Sequence, residues 1–177
     1  MAAPAHPTTT AGIAVWRRAS LGQTRRSEGA TGIEILLVHP GGPFWAKKDE
    51  HAWSIPKGEL NENESPADAA VREFNEEVGQ PVPEGELVAL DPFRAGKKWL
   101  HAYTVEGDID AELVDPNDTH RSMVELVWPP RSDRKQLFPE VDRAAWFDLA
   151  EAPIKLHKGQ APLVGLLLAK LVPKGLT

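Results

Sequence analysis

Two hydrophobic periods alternate along the chain. Ala11 to Arg17 reads as a strand, and Ile33 to His39 is almost wholly apolar and β-branched, as a buried strand would be. Leu87 to Phe93 and Trp99 to Val105 read as two more strands, joined by a turn at Ala95-Gly96. Val124 to Trp128 is a short strand stopped by Pro129-Pro130, and Ala144 to Phe147 is a short apolar run. Between them, Ala19 to Gly32 is polar and glycine-containing, an exposed connection, and Pro40 to His51 is a loop around Gly41-Gly42-Pro43. The helical period surfaces in two places, after Ser65 and over Gln160 to Leu171. Several strands with two helices predict a mixed α/β (α+β) domain over residues 11–177, preceded by an Ala-, Pro- and Thr-rich flexible tail at 1–10.

The helix after Ser65 carries its own boundary signals. Ser65 is a good N-cap, Pro66 suits the first helical position and Asp68 stands three residues after the cap. Gly79 is a natural C′ residue, so the helix should run from Pro66 to Val78. Ala70, Phe74 and Val78 recur every four residues, and Val71 widens their stripe toward the core. Glu73, Glu76 and Glu77 sit at i, i+3 and i+4, with a mean direction about 120° around from the apolar stripe at about 100° per residue.

Such close carboxylates repel one another, each pair costing a few tenths of a kcal/mol. A hard divalent cation with a preference for oxygen would remove that penalty, and Arg72 can hold one glutamate by a bidentate pair. A bare Glu-x-x-Glu-Glu would equally fit a solvated acidic face, so the wider spacing has to decide.

Composition narrows the partners. Net charge is −6, which gives no general attraction to polymeric nucleic acid or an anionic membrane. The chain has no cysteine, which excludes disulfides and thiolate catalysis and allows a reducing compartment such as the cytoplasm. The N-terminus lacks the basic start and apolar run of a signal peptide, and Leu163 to Val172 is interrupted by Gly165 and Lys170 and too short to span a bilayer.

The wider spacing is Gly58, five residues, Glu64, seven residues, then Arg72-Glu73-Phe74-Asn75-Glu76-Glu77-Val78-Gly79. It resembles the Nudix box of Mg²⁺-dependent hydrolases that cleave nucleoside diphosphates linked to another group. One position departs: Gln80 stands where the family usually has an aliphatic residue. The resemblance implies the Nudix fold, a mixed β-sheet sandwiched between helices, and covers most of the chain. Trp53-Ser54-Ile55-Pro56-Lys57-Gly58 looks like the lead-in of nucleotide-cleaving members, in which Lys57 would meet a phosphate and the Gly58 carbonyl would ligate metal. Members often carry one more glutamate, six residues before a late-strand tryptophan. Glu140 stands six before Trp146 and is the expected distant ligand or general base, with Glu125 as its competitor. Val127 to Ser132 and Pro139 to Arg143 resemble a bacterial subgroup of predicted Nudix pyrophosphohydrolases.

The implied machinery is Arg72, Glu73, Glu76, Glu77 and Glu140 for catalysis, with Gly58 and the same four glutamates around Mg²⁺, or Mn²⁺ as a substitute. Lys57, Lys48 and Trp45 would bind substrate, Trp45 by stacking beside Lys47-Lys48; Trp16, Phe44, Trp99 and Tyr103 are further stacking candidates better suited to core packing. Gly41-Gly42 is a weak candidate for a phosphate cradle. The expected substrate is a nucleoside triphosphate or dinucleoside polyphosphate, acted on by a monomer or homodimer. The alternatives are a nucleotide sugar such as ADP-ribose, or a Nudix-fold sensor that binds nucleotide without hydrolysis.

Overall fold

The computed structural model describes residues 8–20, 29–118 and 120–171. Its strands are β1 (Thr9–Arg18), β2 (Ile33–Pro40), β3 (Lys57–Glu59), β4 (Val88–Ala89), β5 (Phe93–Ala95), β6 (Lys98–Glu106), β7 (Met123–Val127), β8 (Lys135–Pro139) and β9 (Val141–Asp148). Its α-helices are α1 (Pro66–Val78), α2 (Ala152–Lys155) and α3 (Pro162–Leu171). The main sheet runs β4-β6-β1-β2-β9, with β3 added beside β1 and β5 beside β6. β1 and β6 pair in parallel and the other ladders are antiparallel, so the sheet is mixed.

Helices cover both faces, and the alternation within each strand shows it. Ala11, Ile13 and Val15 of β1 and Leu36 and Val38 of β2 pack with Ala69, Ala70, Phe74 and Val78 of α1. Their neighbours Ala14, Trp16, Ile35 and Leu37 turn the other way, onto Trp53, Leu156 and Leu163, Val164 and Leu167 of α3. A strand buried on both faces loses the polar alternation of a one-sided strand, which is why β2 reads as a continuous apolar run.

Helix α1 has the expected ends. Ser65 Oγ accepts the Asp68 N–H at 3.1 Å, and Gly79 adopts φ 73° while its N–H reaches the Asn75 carbonyl at 3.0 Å. Ala69 joins the buried stripe, whereas Val71 is only partly buried. Gln80, in place of an aliphatic residue, donates from Nε2 to the Asp110 carbonyl at 2.8 Å.

Several boundaries differ from the sequence reading. The tail assigned to 1–10 lies outside the described residues up to Pro7, and its last two residues, Thr9 and Thr10, already belong to β1. Residues 21–28 of the connection expected at Ala19 to Gly32 also lie outside the described residues. The strand expected over Leu87 to Phe93 is broken into β4 and β5, because Asp91-Pro92 interrupts the ladder onto β6. α3 begins at Pro162, after a 3₁₀ turn over Lys158–Gln160. β8 was not legible: Lys135 to Pro139 is polar at its start and pairs only with β7, as a hairpin separate from the main sheet.

Candidate active site

A cleft of about 610 Å³ opens between the end of β2, β3, α1 and β7 of the hairpin. Lys57, Gly58, Glu73, Glu76, Glu77, Glu140 and Trp45 all line it. So do Lys98, Ser122 and Phe44, of which only Phe44 stood among the expectations.

The box glycine is explained by contact rather than by backbone angle. A Cβ on Gly58 would lie 2.0 Å from Glu73 Cδ and 2.1–2.2 Å from its carboxylate oxygens. β3 therefore approaches α1 so closely that the Glu73 carboxylate occupies the space a side chain would need. Glu77 is tied to the same strand, accepting the Lys57 backbone N–H at 3.2 Å. Both glutamates are buried although ionisable, whereas Glu76 is exposed. Burial is the main force pushing the Glu77 carboxyl up to about 8; Lys57 opposes it, and Glu140 and Glu73 add to it. Glu73 is raised too, first by burial, against the pull of Arg72 and with repulsion from Glu76 and Glu140.

Arg72 is placed behind the carboxylates, holding them as expected, and does not itself line the cleft. Its guanidinium grips Glu64 bidentately at 2.8 and 2.9 Å, and reaches Glu73 at 2.7 Å, Glu76 at 3.2 Å and the Glu59 carbonyl at 2.9 Å. It is a positioning residue, and Glu64, held far below the usual carboxylate range first by Arg72 and then by the Asn61 N–H, is its anchor.

Glu140 sits at a one-residue corner between β8 and β9 rather than on a loop. Its N–H donates to the Ser122 carbonyl at 3.0 Å, and its carboxylate accepts the Ser122 hydroxyl at 2.5 Å. Ser122 in turn donates its N–H to the Glu76 carbonyl at 3.2 Å. The neighbouring Arg121, buried, donates to the Glu77 and Val141 carbonyls and to the Asp115 carbonyl at 2.7 Å. A guanidinium on the Glu77 carbonyl, in the last turn of α1, suits the negative end of the helix dipole. Arg121-Ser122 thus docks the Glu140 corner onto the box helix. No spacing rule marks these two residues. Glu125, the competitor, faces outward on β7 in an ion pair with Lys135 at 2.9 Å and does not line the cleft.

The expected substrate-binding residues separate. Lys57 and Trp45 line the cleft, whereas Lys48 does not; its ammonium lies 4.6 Å from the Trp45 ring centroid. The Lys48 carbonyl is bound by His39, a fully buried ring whose other nitrogen meets Asp142 at 2.9 Å, so the Trp45 loop is fastened to β2 and β9. Gly41 is required by close approach to Pro139, whose carbonyl oxygen is 2.0 Å from where a Cβ would be, which accounts for that glycine without a phosphate. Trp16 is core, Tyr103 packs against the α1-side core, and Trp99 lies beneath Arg94. Phe44 meets Trp128 edge-to-face at 5.4 Å, joining the loop to the hairpin.

The donor set fits a hard divalent cation in chemistry: every candidate ligand is an oxygen, and the buried carboxylates repel one another. It is not preassembled, since among the described residues no three His, Asp or Glu side chains already gather around a common point. Arg72 holds Glu73 and Glu76, Ser122 holds Glu140, and the Lys57 N–H holds Glu77.

The family model of the NUDIX domain matches residues 17–167. Among curated proteins, the RNA pyrophosphohydrolase of Hahella chejuensis is 41% identical over 59 residues, which are 32% of this chain and 37% of that protein. That of Vibrio atlanticus is 42% identical over 70 residues, 39% of this chain and 37% of that protein, so the chain aligns with little more than a third of these relatives' length. Among solved structures, a C. elegans Ap4A hydrolase binary complex matches with TM-score 0.55 and 19% identity, over 92% of this chain and 98% of the other. A mutT/nudix family protein from Listeria innocua matches at 0.56 and 16%, over 93% of each chain. The NUDIX domain of Shewanella oneidensis NrtR, complexed with ADP ribose, matches at 0.55 and 15%, over 94% and 90%. With the box folded as a capped helix against its glycine strand, and the family model spanning most of the sequence, this chain belongs to the Nudix family.

Proposed function

We propose that this protein is a Mg²⁺-dependent pyrophosphohydrolase of nucleoside triphosphates or dinucleoside polyphosphates, acting as one domain in a reducing compartment such as the cytoplasm. One observation carries the reading: buried Glu73 and Glu77 and the corner Glu140 face a single cleft that also receives Lys57 and Lys98. Glu73, Glu76, Glu77, Glu140 and the Gly58 carbonyl would hold the metal, which when bound neutralises a diphosphate and acidifies a water. The chain's own residues supply the rest. Lys57 and Lys98 draw the polyphosphate into the cleft and offset charge on the departing phosphate. Water attacks phosphorus, the P–O anhydride bond breaks, and the water's proton passes to a carboxylate. Glu140 suits that role because it comes from a separate element and accepts from the neutral Ser122 hydroxyl, whereas Glu73 is paired with the Arg72 guanidinium, which makes it a poorer proton acceptor. Arg72 and Ser122 fix the rotamers of the carboxylates.

The test is a panel of nucleoside triphosphates, dinucleoside tetraphosphates, ADP-ribose and a short 5′-triphosphorylated RNA, with Mg²⁺ or EDTA. Polyphosphate nucleotides should turn over only with metal, and Lys57→Ala should harm them more than ADP-ribose. The reading is abandoned if ADP-ribose has the highest kcat/KM and Lys57→Ala leaves that ratio unchanged. The RNA arm is included because the curated relatives are RNA pyrophosphohydrolases; the net charge of −6 favours free nucleotides instead. Saturable binding of every nucleotide with no turnover would indicate a sensor.

A further inference from the structure

A second cavity of about 280 Å³ adjoins the cleft and shares Trp45, Ser54, Lys57 and Lys98 with it. Ligand pockets run to roughly 300–1,000 Å³, so this one suits a single ring system rather than a whole nucleotide. Trp45, Ala52 and Ala95 give it apolar walls. At its end stand His157 and Gln160, neither of which the sequence reading assigned to the site.

Gln160 is 2% exposed, and its amide is oriented by a bond that admits one reading. The Ile55 backbone N–H donates to its Oε1 at 3.1 Å, so the other terminus is NH₂. That NH₂ has no partner among the described residues, yet it is not among the sealed polar atoms, where Arg121 Nε stands alone. Its opening is the pocket that Gln160 lines. His157 Nδ1 accepts the Gly159 N–H at 3.2 Å, so Nε2 carries the ring's proton and is a donor. Lys57 and Lys98 stand at the edge shared with the cleft, and no carboxylate among the described residues lines the pocket.

Resting on the reading above, we propose that this side pocket is a base-recognition subsite that selects guanine over adenine, with Gln160 as its specificity-determining residue. Guanine offers two adjacent acceptors, O6 and N7, to the donors of Gln160 and His157. Adenine places an amino donor beside N7, where it would face the Gln160 NH₂, donor against donor. A site built to hydrogen-bond one edge rejects the analogue lacking it, because its buried polar group is then left unpaired.

Wild-type protein is assayed with GTP, ITP, ATP and 7-deaza-GTP. GTP and ITP, which keep O6 and N7, should exceed ATP and 7-deaza-GTP by roughly tenfold or more in kcat/KM. Gln160→Glu keeps an oxygen facing Ile55 N–H and replaces the NH₂ by an acceptor, so the GTP/ATP ratio should collapse or invert. His157→Ala, at an exposed side chain, should lower the same ratio and covers the case in which the Gln160 variant fails to fold. ATP equal to or better than GTP, 7-deaza-GTP equal to GTP, or an unchanged ratio in folded Gln160→Glu overturns the proposal. If no nucleotide is hydrolysed at all, it is the proposed activity that fails. The base preference is then read from the Kd ratio of the imidodiphosphate analogues of GTP and ATP, and a ratio near one overturns it.

Discussion

The box helix and the Glu140 corner supply carboxylates to one cleft, yet they are held there in opposite ways. α1 places Glu73, Glu76 and Glu77 by helical periodicity and stands on a packed stripe of Ala69, Ala70, Phe74 and Val78. Glu140 stands where two short strands meet, and its position is set by hydrogen bonds to Ser122, itself docked on the end of α1. The hairpin preceding it pairs with no strand of the main sheet and exposes Leu137 and Val127. A carboxylate on a core-packed helix is placed by apolar burial; one at a corner is placed by polar contacts that a single substitution can release.

The sharpest way to break that contrast is to remove charge from the helix. Glu77→Gln keeps shape and discards a ligand, so kcat/KM should fall by roughly 10²- to 10⁴-fold. Near-normal hydrolysis by this variant at low Mg²⁺ would mean that the buried glutamate is structural.

Phe74→Ala deletes a fully buried ring and should cost about 3–5 kcal/mol in urea denaturation. Leu137→Ala, on the exposed hairpin, should stay within about 0.5 kcal/mol. Equal losses would show that the hairpin shares the core's cooperativity.

Glu140→Gln should lower kcat by roughly 10- to 100-fold while thermal stability hardly moves, and Ser122→Ala should give a weaker loss of the same kind. Glu125→Gln, on the outer face of the hairpin, should behave as wild type. If Glu125→Gln is crippled and Glu140→Gln is normal, the corner is not the distant site.

The smallest effect is a pH slope in metal-free protein. The folded Glu77 carboxyl is pushed up to about 8 from its ordinary 4.5, chiefly by burial. A raised carboxyl pKa makes the folded state the better proton binder. The contribution is therefore full below about 4.5 and is lost as pH rises through about 8. Glu73, raised in the same direction, adds to the trend. Urea midpoints in EDTA should fall from pH 5 to 8.5, with a flatter profile for Glu77→Gln. A wild-type midpoint that rises over this interval contradicts the burial of that carboxyl.

Local rules made the helix legible. Ser65, Pro66 and Gly79 act through neighbours in sequence, and α1 has the predicted ends. The same holds for β1, β2 and β6, whose apolar runs are long enough to outvote their context. Lys48 shows the limit of adjacency: standing near Trp45 in sequence, it lies over that ring instead of lining the cleft. Arg72 was rightly expected to grip glutamate, but only the packing shows that Glu64 takes its bidentate side and that it lies behind the site.

The family, the helix with its carboxylates and the strands it lies on could be read from neighbours along the chain, because motif spacing, capping and periodicity act over a few residues. The packing of β3 on α1 was needed to explain why Gly58 must be glycine, since the clash is with Glu73 across two elements. The tertiary structure alone brought Ser122 and Lys98 to the cleft, set Arg121 on the end of α1, and turned Gln160 into a buried donor at the side of the cleft. Those contacts join residues far apart in the chain, and their geometry comes from how the helices close over the two faces of the sheet.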